Sequence, residues 1–355
     1  MSTVSESENV EIPISTARSL RIKAAWQTAK QNAYQVNAGA LSFGVEIECY
    51  MPREKLTVLG VNVGGYHSGT AVPSTLDPLN LWKCERDGSL NSEQYNADGS
   101  TSVGVEFVSP TLYGLAGFKE VERFVKLLEK NGATVTRQCG LHVSVGLASI
   151  VQSNSGCYSG GAVRQTENLR NFLRRLMHFV SIHENGMMQI GGRRSRVNNR
   201  YCRTSKVWAN NIRKDMPLVD FWHLIHHHGR YSTVNLVNCG QDSRERIEFR
   251  VFGGTVNPVK VLGYIAVALG ICHKSAEAAI APKVVLDNYS LPSVINDRKA
   301  VLRLHVALWT RHAEVKFGLP EGVWEKWGKR FLKIQRWNGL QFINGIPTDN
   351  TSAGD

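Results

Sequence analysis

The sequence predicts a fold of mixed helices and strands in which several strands share a sheet and turn polar side chains to one side. Three observations predict it. Residues 43–49, F-G-V-E-I-E-C, alternate apolar and other positions with period two, as a strand with one buried face does. The same design returns at residues 104–109, 139–146 and 246–252. Between these stretches, apolar residues repeat at spacings of three and four, the mark of amphipathic helices.

The first strand carries Glu46 and Glu48 on one face and Phe43, Val45, Ile47 and Cys49 on the other. Two carboxylates one pleat repeat apart repel unless a cation lies between them or one is protonated. A magnesium-type ion prefers carboxylate oxygen, so a metal is the natural cation. The second strand, G-V-E-F-V-S, sets Glu106 against Val105 and Phe107. The third, C-G-L-H-V-S-V-G, sets His142 and Ser144 against Leu141, Val143 and Val145. The fourth, R-I-E-F-R-V-F, sets Arg246, Glu248 and Arg250 against Ile247, Phe249 and Val251. In one sheet, these strands would line one side with carboxylates, an imidazole and guanidiniums. Such a face suits a polyphosphate held by metal ions, with Arg gripping phosphate oxygen as a planar fork. The plainer alternative is a solvated face with ordinary ion pairs, such as Glu248 with Arg246. Recurrence on four strands favours the site.

The chain has 355 residues, 42% hydrophobic and 20% charged, an ordinary globular composition long enough for a large core. It shows no apolar run of membrane-spanning length and no cationic-then-apolar leader, so the expectation is a cytoplasmic protein with no membrane partner. Seven scattered cysteines without a C-x-x-C pair argue against a disulfide framework and a structural zinc site. Net charge is +12 and the sequence pI about 9.4, which points to an anionic partner. Much of that charge falls in residues 193–214, with Arg193, Arg194, Arg196, Arg200, Arg203, Lys206, Arg213 and Lys214. A polyanion could dock there; a solvated basic face is the alternative.

Along the chain, residues 1–16 read as a flexible terminus and 17–37 as a helix. After the first strand, 52–95 reads as irregular, rich in Gly, Asn and Pro, with an Asp87-Gly88-Ser89 turn. Residues 115–131 form a helix with Phe118, Val121, Val125 and Leu128 as its stripe, ended by Asn131-Gly132. Residues 164–184 form another, with Leu169, Phe172, Leu173, Leu176 and Phe179. Residues 218–228 form a short helix, whose His226, His227 and His228 point in different directions and read as a solvated end. Residues 231–238 read as a strand with Tyr231, Thr233 and Asn235 on one face. Residues 259–281 and 302–337 are helical, and 346–355 a flexible tail. A single catalytic domain is expected over 17–345, its helical C-terminal part at about 300–340. No Gly-rich phosphate loop appears, so phosphate-handling groups would be strand-borne.

The ordered set F-G-V-E-I-E, E-F-V-S-P, C-G-L-H-V-S-V and R-I-E-F-R-V-F-G-G-T, spanning roughly residues 43–255, resembles the amidoligase family. That family is grouped with carboxylate–amine ligases of the glutamine synthetase and glutamate–cysteine ligase type. The resemblance implies an α+β fold: a glutamine synthetase-like curved, mainly antiparallel sheet, helices on its outer face, and ATP with Mg²⁺ or Mn²⁺ on its concave face. It implies that ATP phosphorylates a carboxylate and that an amine attacks the acyl phosphate, forming an amide. By the resemblance, Glu46, Glu48, Glu106 and Glu248 bind metal, and His142 lies near the nucleotide phosphates. Arg250 steadies the transferred phosphoryl group, and Asp87 lies near the substrates or amine. Arg246, Tyr231 and Asn235 join the nucleotide-binding set, and Arg200 contacts phosphate or a substrate carboxylate. Ser144 stands where the family often has a second histidine. Both substrates stay unidentified, and a homo-oligomer is admitted. The competing reading is a nucleic-acid-binding protein on a ligase-like fold, or a ligase whose substrate is attached to a macromolecule.

Overall fold

In this computed structural model, the structure describes residues 41–74, 77, 81–147, 150, 167–192, 196, 199–239, 245–278, 340–343 and 346–349. The expected terminus at 1–16, the helices at 17–37 and 302–337, and residues 350–355 lie outside these.

The fold is α+β, built on a mostly antiparallel sheet. Its strands are β1 (Ser42–Pro52), β2 (Thr70–Ala71), β3 (Lys83–Glu85), β4 (Glu93–Tyr95), β5 (Thr101–Val108), β6 (Leu112–Tyr113), β7 (Gly140–Gly146), β8 (Val234–Asn235) and β9 (Arg246–Gly253). The order is β2-β3-β5-β1-β7-β9-β8, with β4 beside β5 and β6 beside β1. The four long strands are those whose alternation predicts them, and they are adjacent. Their apolar residues form one continuous core with Ile47, Phe107, Leu141, Val143, Phe249 and Val251 all fully buried.

Helices cover that apolar face. They are α1 (Arg53–Val58), α2 (Gly114–Lys130), α3 (Glu167–Met187, running into a π turn at Met188–Gly192), α4 (Lys206–Ala209), α5 (Leu218–His228) and α6 (Pro258–Glu277). Helix α2 buries Phe118, Val121, Val125 and Leu128 as its period requires. Gly117 lets it approach closely: a Cβ there would lie 2.9 Å from Leu112 and 3.0 Å from Phe43. In α3 the expected stripe is buried except Phe179, which is half-buried. Asn257 caps α6, accepting a hydrogen bond from Lys260 N at 3.2 Å with Pro258 in the first turn. Within α6, residues 258–276 are long and apolar enough to cross a bilayer by length and composition, which corrects the expectation of no such run. The helix instead packs on α2, α3 and β7, with Val261, Ile265, Ala268 and Leu269 in the core.

Three further expectations change. Residues 52–95 are not simply irregular but hold α1 and the edge strands β2, β3 and β4, two or three residues each. Strands that short leave no readable periodicity. The strand expected at 231–238 shrinks to Val234–Asn235, because Thr233 turns inward to Glu184 and Val237 N bonds to Asn235 Oδ1. In the expected tail, Ile346–Asp349 (β11) pairs with Leu340–Ile343 (β10), which also ends the C-terminal helical reading by 340. The sequence between them, Asn344-Gly345, is the dipeptide favoured in two-residue hairpin turns.

Candidate active site

Strand pairing brings the site together on the sheet's polar face. Glu46 lies opposite His142, Glu48 opposite Glu106, and Ser144 opposite Glu248. Between Leu141 and Val143 the register with β9 shifts by one residue. Such a bulge re-aims side chains, and this one lies where His142 meets Arg250.

His142 is the hub. Its Nδ1 lies 3.1 Å from Glu46, 3.7 Å from Glu248 and 3.9 Å from Glu106, and its Nε2 lies 3.5 Å from Glu48. Glu48, Glu106, His142 and Glu248 are buried, and Glu46 is half-buried. Arg250 Nη1 donates to Glu248 Oε1, and Asn235 Nδ2 donates to Glu248 Oε2 at 2.7 Å. Glu48 accepts the backbone N–H of Gly140. A Cβ at Gly140 would lie 2.2 Å from Arg196 Nη2, so glycine is what lets that guanidinium lie against the strand.

The charges do not balance by themselves. Two like charges 4 Å apart repel by about 4 kcal/mol at an effective dielectric of 20. Burial pushes Glu48 up to about 7; Arg196 opposes the rise and Asp87 adds to it. Burial, then Glu46 and Glu48, raises Glu106 well above the carboxylate range. Burial, then Arg250, holds His142 well below the usual histidine value. Burial draws Arg250 down, but Glu248 beside it more than offsets this and leaves it raised. Burial and Arg250 thus favour the uncharged form of His142.

The donor set fits divalent cations. Glu46, His142 and Glu248 form one group, and Glu48, Glu106 and His142 another, with ligand atoms within 4.8 Å of one another in each. The buried His142 Nε2 has no hydrogen-bond partner, as a ligand atom would. A neutral imidazole has one free lone pair, so His142 serves one ion and the other rests on carboxylates. Oxygen-rich groups of this kind suit Mg²⁺ or Mn²⁺.

A cleft of about 220 Å³ opens above the cluster. Glu46, Glu106, His142, Arg250, Asp87 and Tyr231 line it. Five residues before Asp87, Trp82 is buried in the core, its ring stacked on Phe124 at 3.8 Å and its Nε1 donating to Glu120 at 2.9 Å. Asp87 itself accepts the Ser89 backbone N–H at 2.7 Å.

Residues 39–155 match the family model described as "Putative amidoligase enzyme". This segment is similar to that family over about a third of the chain. The matched segment carries Glu46, Glu48, Asp87, Glu106 and His142, while Glu248 and Arg250 lie beyond it and join through strand pairing. No curated protein matches the chain. Similar solved structures include a bifunctional glutathione synthetase from Pasteurella multocida, at 10% identity and TM-score 0.39, covering 86% of this chain and 45% of that one. Another is the Plasmodium falciparum glutamine synthetase, at 11% identity and TM-score 0.41, covering 90% and 75%. The chain thus spans under half the length of the first.

Some expected residues fall outside this cluster. Arg200 is exposed, its guanidinium 4.6 Å over the Tyr201 ring, and it does not line the cleft. Arg246 shares the polar face but lies at the strand's start, also away from the cleft. Asn235 orients Glu248 rather than lining the cleft. Others were not foreseen. Tyr66, His67 and Arg230 line the cleft. His67 has φ 56°, a left-handed conformation that a non-glycine residue holds only when its surroundings enforce it. Arg196 is buried, and its Nε and Nη2 have no hydrogen-bond partner. Lys206 is buried too, so the basic run is not one solvated face. Its Arg193 and Arg194 lie outside the described residues. Only the run of charge flagged Arg196 in the sequence, and nothing separated it from its exposed neighbours.

Proposed function

We propose that the chain is an ATP-dependent carboxylate–amine ligase that forms an amide through an acyl phosphate and releases ADP and phosphate. The observation that carries this reading is the set of four carboxylates around His142, three of them buried and Glu46 half-buried, with Arg250 beside it, reached from a cleft and lying largely within the segment that matches the amidoligase model. The reading includes a glutamine synthetase-like curvature of the sheet, one catalytic domain over 17–345, and a cytoplasmic setting where ATP is available.

Glu48 and Glu106 would hold one Mg²⁺, and Glu46 and Glu248 another, with His142 on one of them. Bound there, the ions supply neutralisation of triphosphate charge. The substrate carboxylate oxygen attacks the γ-phosphorus, the bond from that phosphorus to the bridging oxygen breaks, and ADP leaves. Arg250 lies in the cleft to hold the equatorial oxygens during transfer. The amine nitrogen then attacks the acyl carbon, the carbon–oxygen bond to phosphate breaks, and phosphate departs. The ammonium must lose one proton to become a nucleophile and a second after attack; Asp87, on the cleft wall, would hold the ammonium and take the first, and the departing phosphate would carry away the second.

The test is ADP release from ATP and Mg²⁺ with a mixed pool of carboxylates and amines, wild type beside Glu248→Gln. Release that requires both an acid and an amine and dies in the variant supports the reading. Release that survives in the variant sinks it. A polyanionic partner rests on the exposed Arg200, Arg203, Arg213 and Lys214. It requires nucleic-acid binding that weakens steeply with salt.

A further inference from the structure

A second cleft, of about 340 Å³, lies on the other side of the Asp87 turn. Asp87 lines both clefts. Its charge is felt at Glu48, Glu106 and His142, so it stands between the carboxylate cluster and this second space. Part of the lining is apolar: Leu56 and Val61 are buried in the main core, Val103 packs against that core, and Leu90 is buried in a smaller cluster with Tyr50 and Cys139. The rim carries Arg86 beside Asp87, two opposite charges on consecutive residues facing one cleft. Arg53, also on the rim, is ion-paired to Glu93, which leaves Arg86 as the cation open to an incoming anion among the described residues lining it.

We infer that this cleft binds the amine partner, and that the partner is a zwitterionic α-amino acid with an apolar side chain. The inference rests on the ligase reading for its chemistry but not for its binding. An α-ammonium and an α-carboxylate are separated by one carbon, and the adjacent Asp87 and Arg86 are the complementary pair. The ammonium on Asp87 faces the carboxylate cluster, where the acyl phosphate would form. The carboxylate pairs with Arg86, a planar fork suited to it. The side chain leaves water for the apolar part of the lining, Leu56, Val61, Leu90 and Val103. The volume lies near the lower end of the usual range for small-molecule pockets, about 300–1,000 Å³, which fits an amino acid rather than a protein chain.

Calorimetry on the full chain with Mg²⁺ tests this with four probes: L-leucine, leucinamide, N-acetyl-leucine and isoamylamine. L-leucine should bind, and leucinamide and N-acetyl-leucine should each bind at least tenfold more weakly. Arg86→Glu should raise the Kd of L-leucine at least tenfold and leave that of isoamylamine within twofold. Arg86 is exposed, so the fold should survive, and Arg86→Gln gives a second variant with an intermediate effect. No L-leucine binding up to ~10 mM, a Kd well above the useful metabolite range, overturns the inference. So does equal binding of L-leucine by wild type and Arg86→Glu. The ligase reading fails separately: leucine binding with no ADP release under any acid pool leaves the cleft assigned and the reaction wrong. ADP release that dies in Glu248→Gln but ignores leucine leaves the ligase standing and this substrate class wrong.

Discussion

The two faces of the central sheet are written by alternate residues of the same strands, yet they follow opposite physics. On one face Ile47, Phe107, Val143 and Phe249 gain by leaving water and by close contact. On the other, Glu48, Glu106, His142 and Glu248 are equally buried, and burial there costs free energy that the folded chain does not recover by itself. Buried charge is costly unless paired, and here the arginines are fewer than the carboxylates. The difference teaches that the apolar face holds the fold, while the polar face is strained toward a ligand. Variants on the two faces should therefore separate stability from activity.

The largest expected effect is on the apolar face. Phe107 is fully buried and meets Phe124 edge to face at 5.4 Å. Phe107→Ala should cost about 3–5 kcal/mol of stability by chemical denaturation. A cost under about 1 kcal/mol would show that the core can collapse around the loss and would break the contrast.

Next comes the polar face. If the proposed ligase reaction is right, Glu48→Gln should lower ADP-forming turnover by about 100- to 1,000-fold, the usual cost of losing one electrostatic group at a reacting centre. In metal-free protein the same change should leave stability unchanged or raise it, because a desolvated carboxylate that repels Glu106 has gone. Destabilisation as large as that of Phe107→Ala would mean that Glu48 serves the fold through Gly140 rather than a ligand.

The comparison sharpens with pH. Glu48 is held up to about 7 against an ordinary value of 4.5, and Glu106 is also held well above that ordinary value. A carboxyl group raised in this way stabilises the fold fully below its unfolded value and loses that contribution as pH rises through its folded value. His142 has the opposite sign: its depressed value gives stability above the ordinary 6.5 that is lost as pH falls. Below pH 6.5 the contributions oppose each other, and above it only the carboxylates act. Metal-free protein should therefore lose stability from pH 6.5 to 8, by at most about 1.4 kcal/mol per pH unit per carboxylate. Saturating Mg²⁺ should flatten the slope, since ligation favours the ionised form. An equal slope with and without Mg²⁺ would remove the metal from the account.

How much of this was legible in the sequence follows from the range of each signal. Period two is local, so β1, β5, β7 and β9 and the facing of Glu46, Glu48, Glu106, His142 and Glu248 could be read before any pairing was known. The meeting of Glu248 with Asn235, and of His142 with Glu48, depends on register between distant strands, for which the sequence offered only the shared design. Arg196 was invisible as a site residue, because the chain path alone decides whether an arginine in a basic run faces water or a carboxylate. The second cleft was illegible for another reason. It is made from α1, β4 and the Asp87 turn, short elements in a stretch without periodicity, and its apolar floor comes from residues of separate segments.

The smallest expected effect tests whether every buried carboxylate belongs to the strained class. Glu184 is fully buried beneath the segment that carries Tyr231 and Asn235, and burial raises its carboxyl group. Unlike Glu48, it is fully partnered: it accepts from Ser205 N at 2.8 Å and from the hydroxyls of Thr204 and Thr233. Thr233 in turn receives the backbone N–H of Arg250 on its carbonyl at 2.8 Å. Glu184 is thus a scaffold carboxylate, tied to the site through backbone rather than facing it. Glu184→Gln keeps one acceptor oxygen and turns the other position toward a hydroxyl that can reverse its role, so the cost should be about 1 kcal/mol. Mg²⁺ affinity by calorimetry should stay within about twofold, well short of the 10- to 100-fold losses seen when the partners of a ligand are removed. A larger loss of metal affinity than of stability would move Glu184 into the site and erase the line between buried acids that hold the chain and buried acids that await a cation.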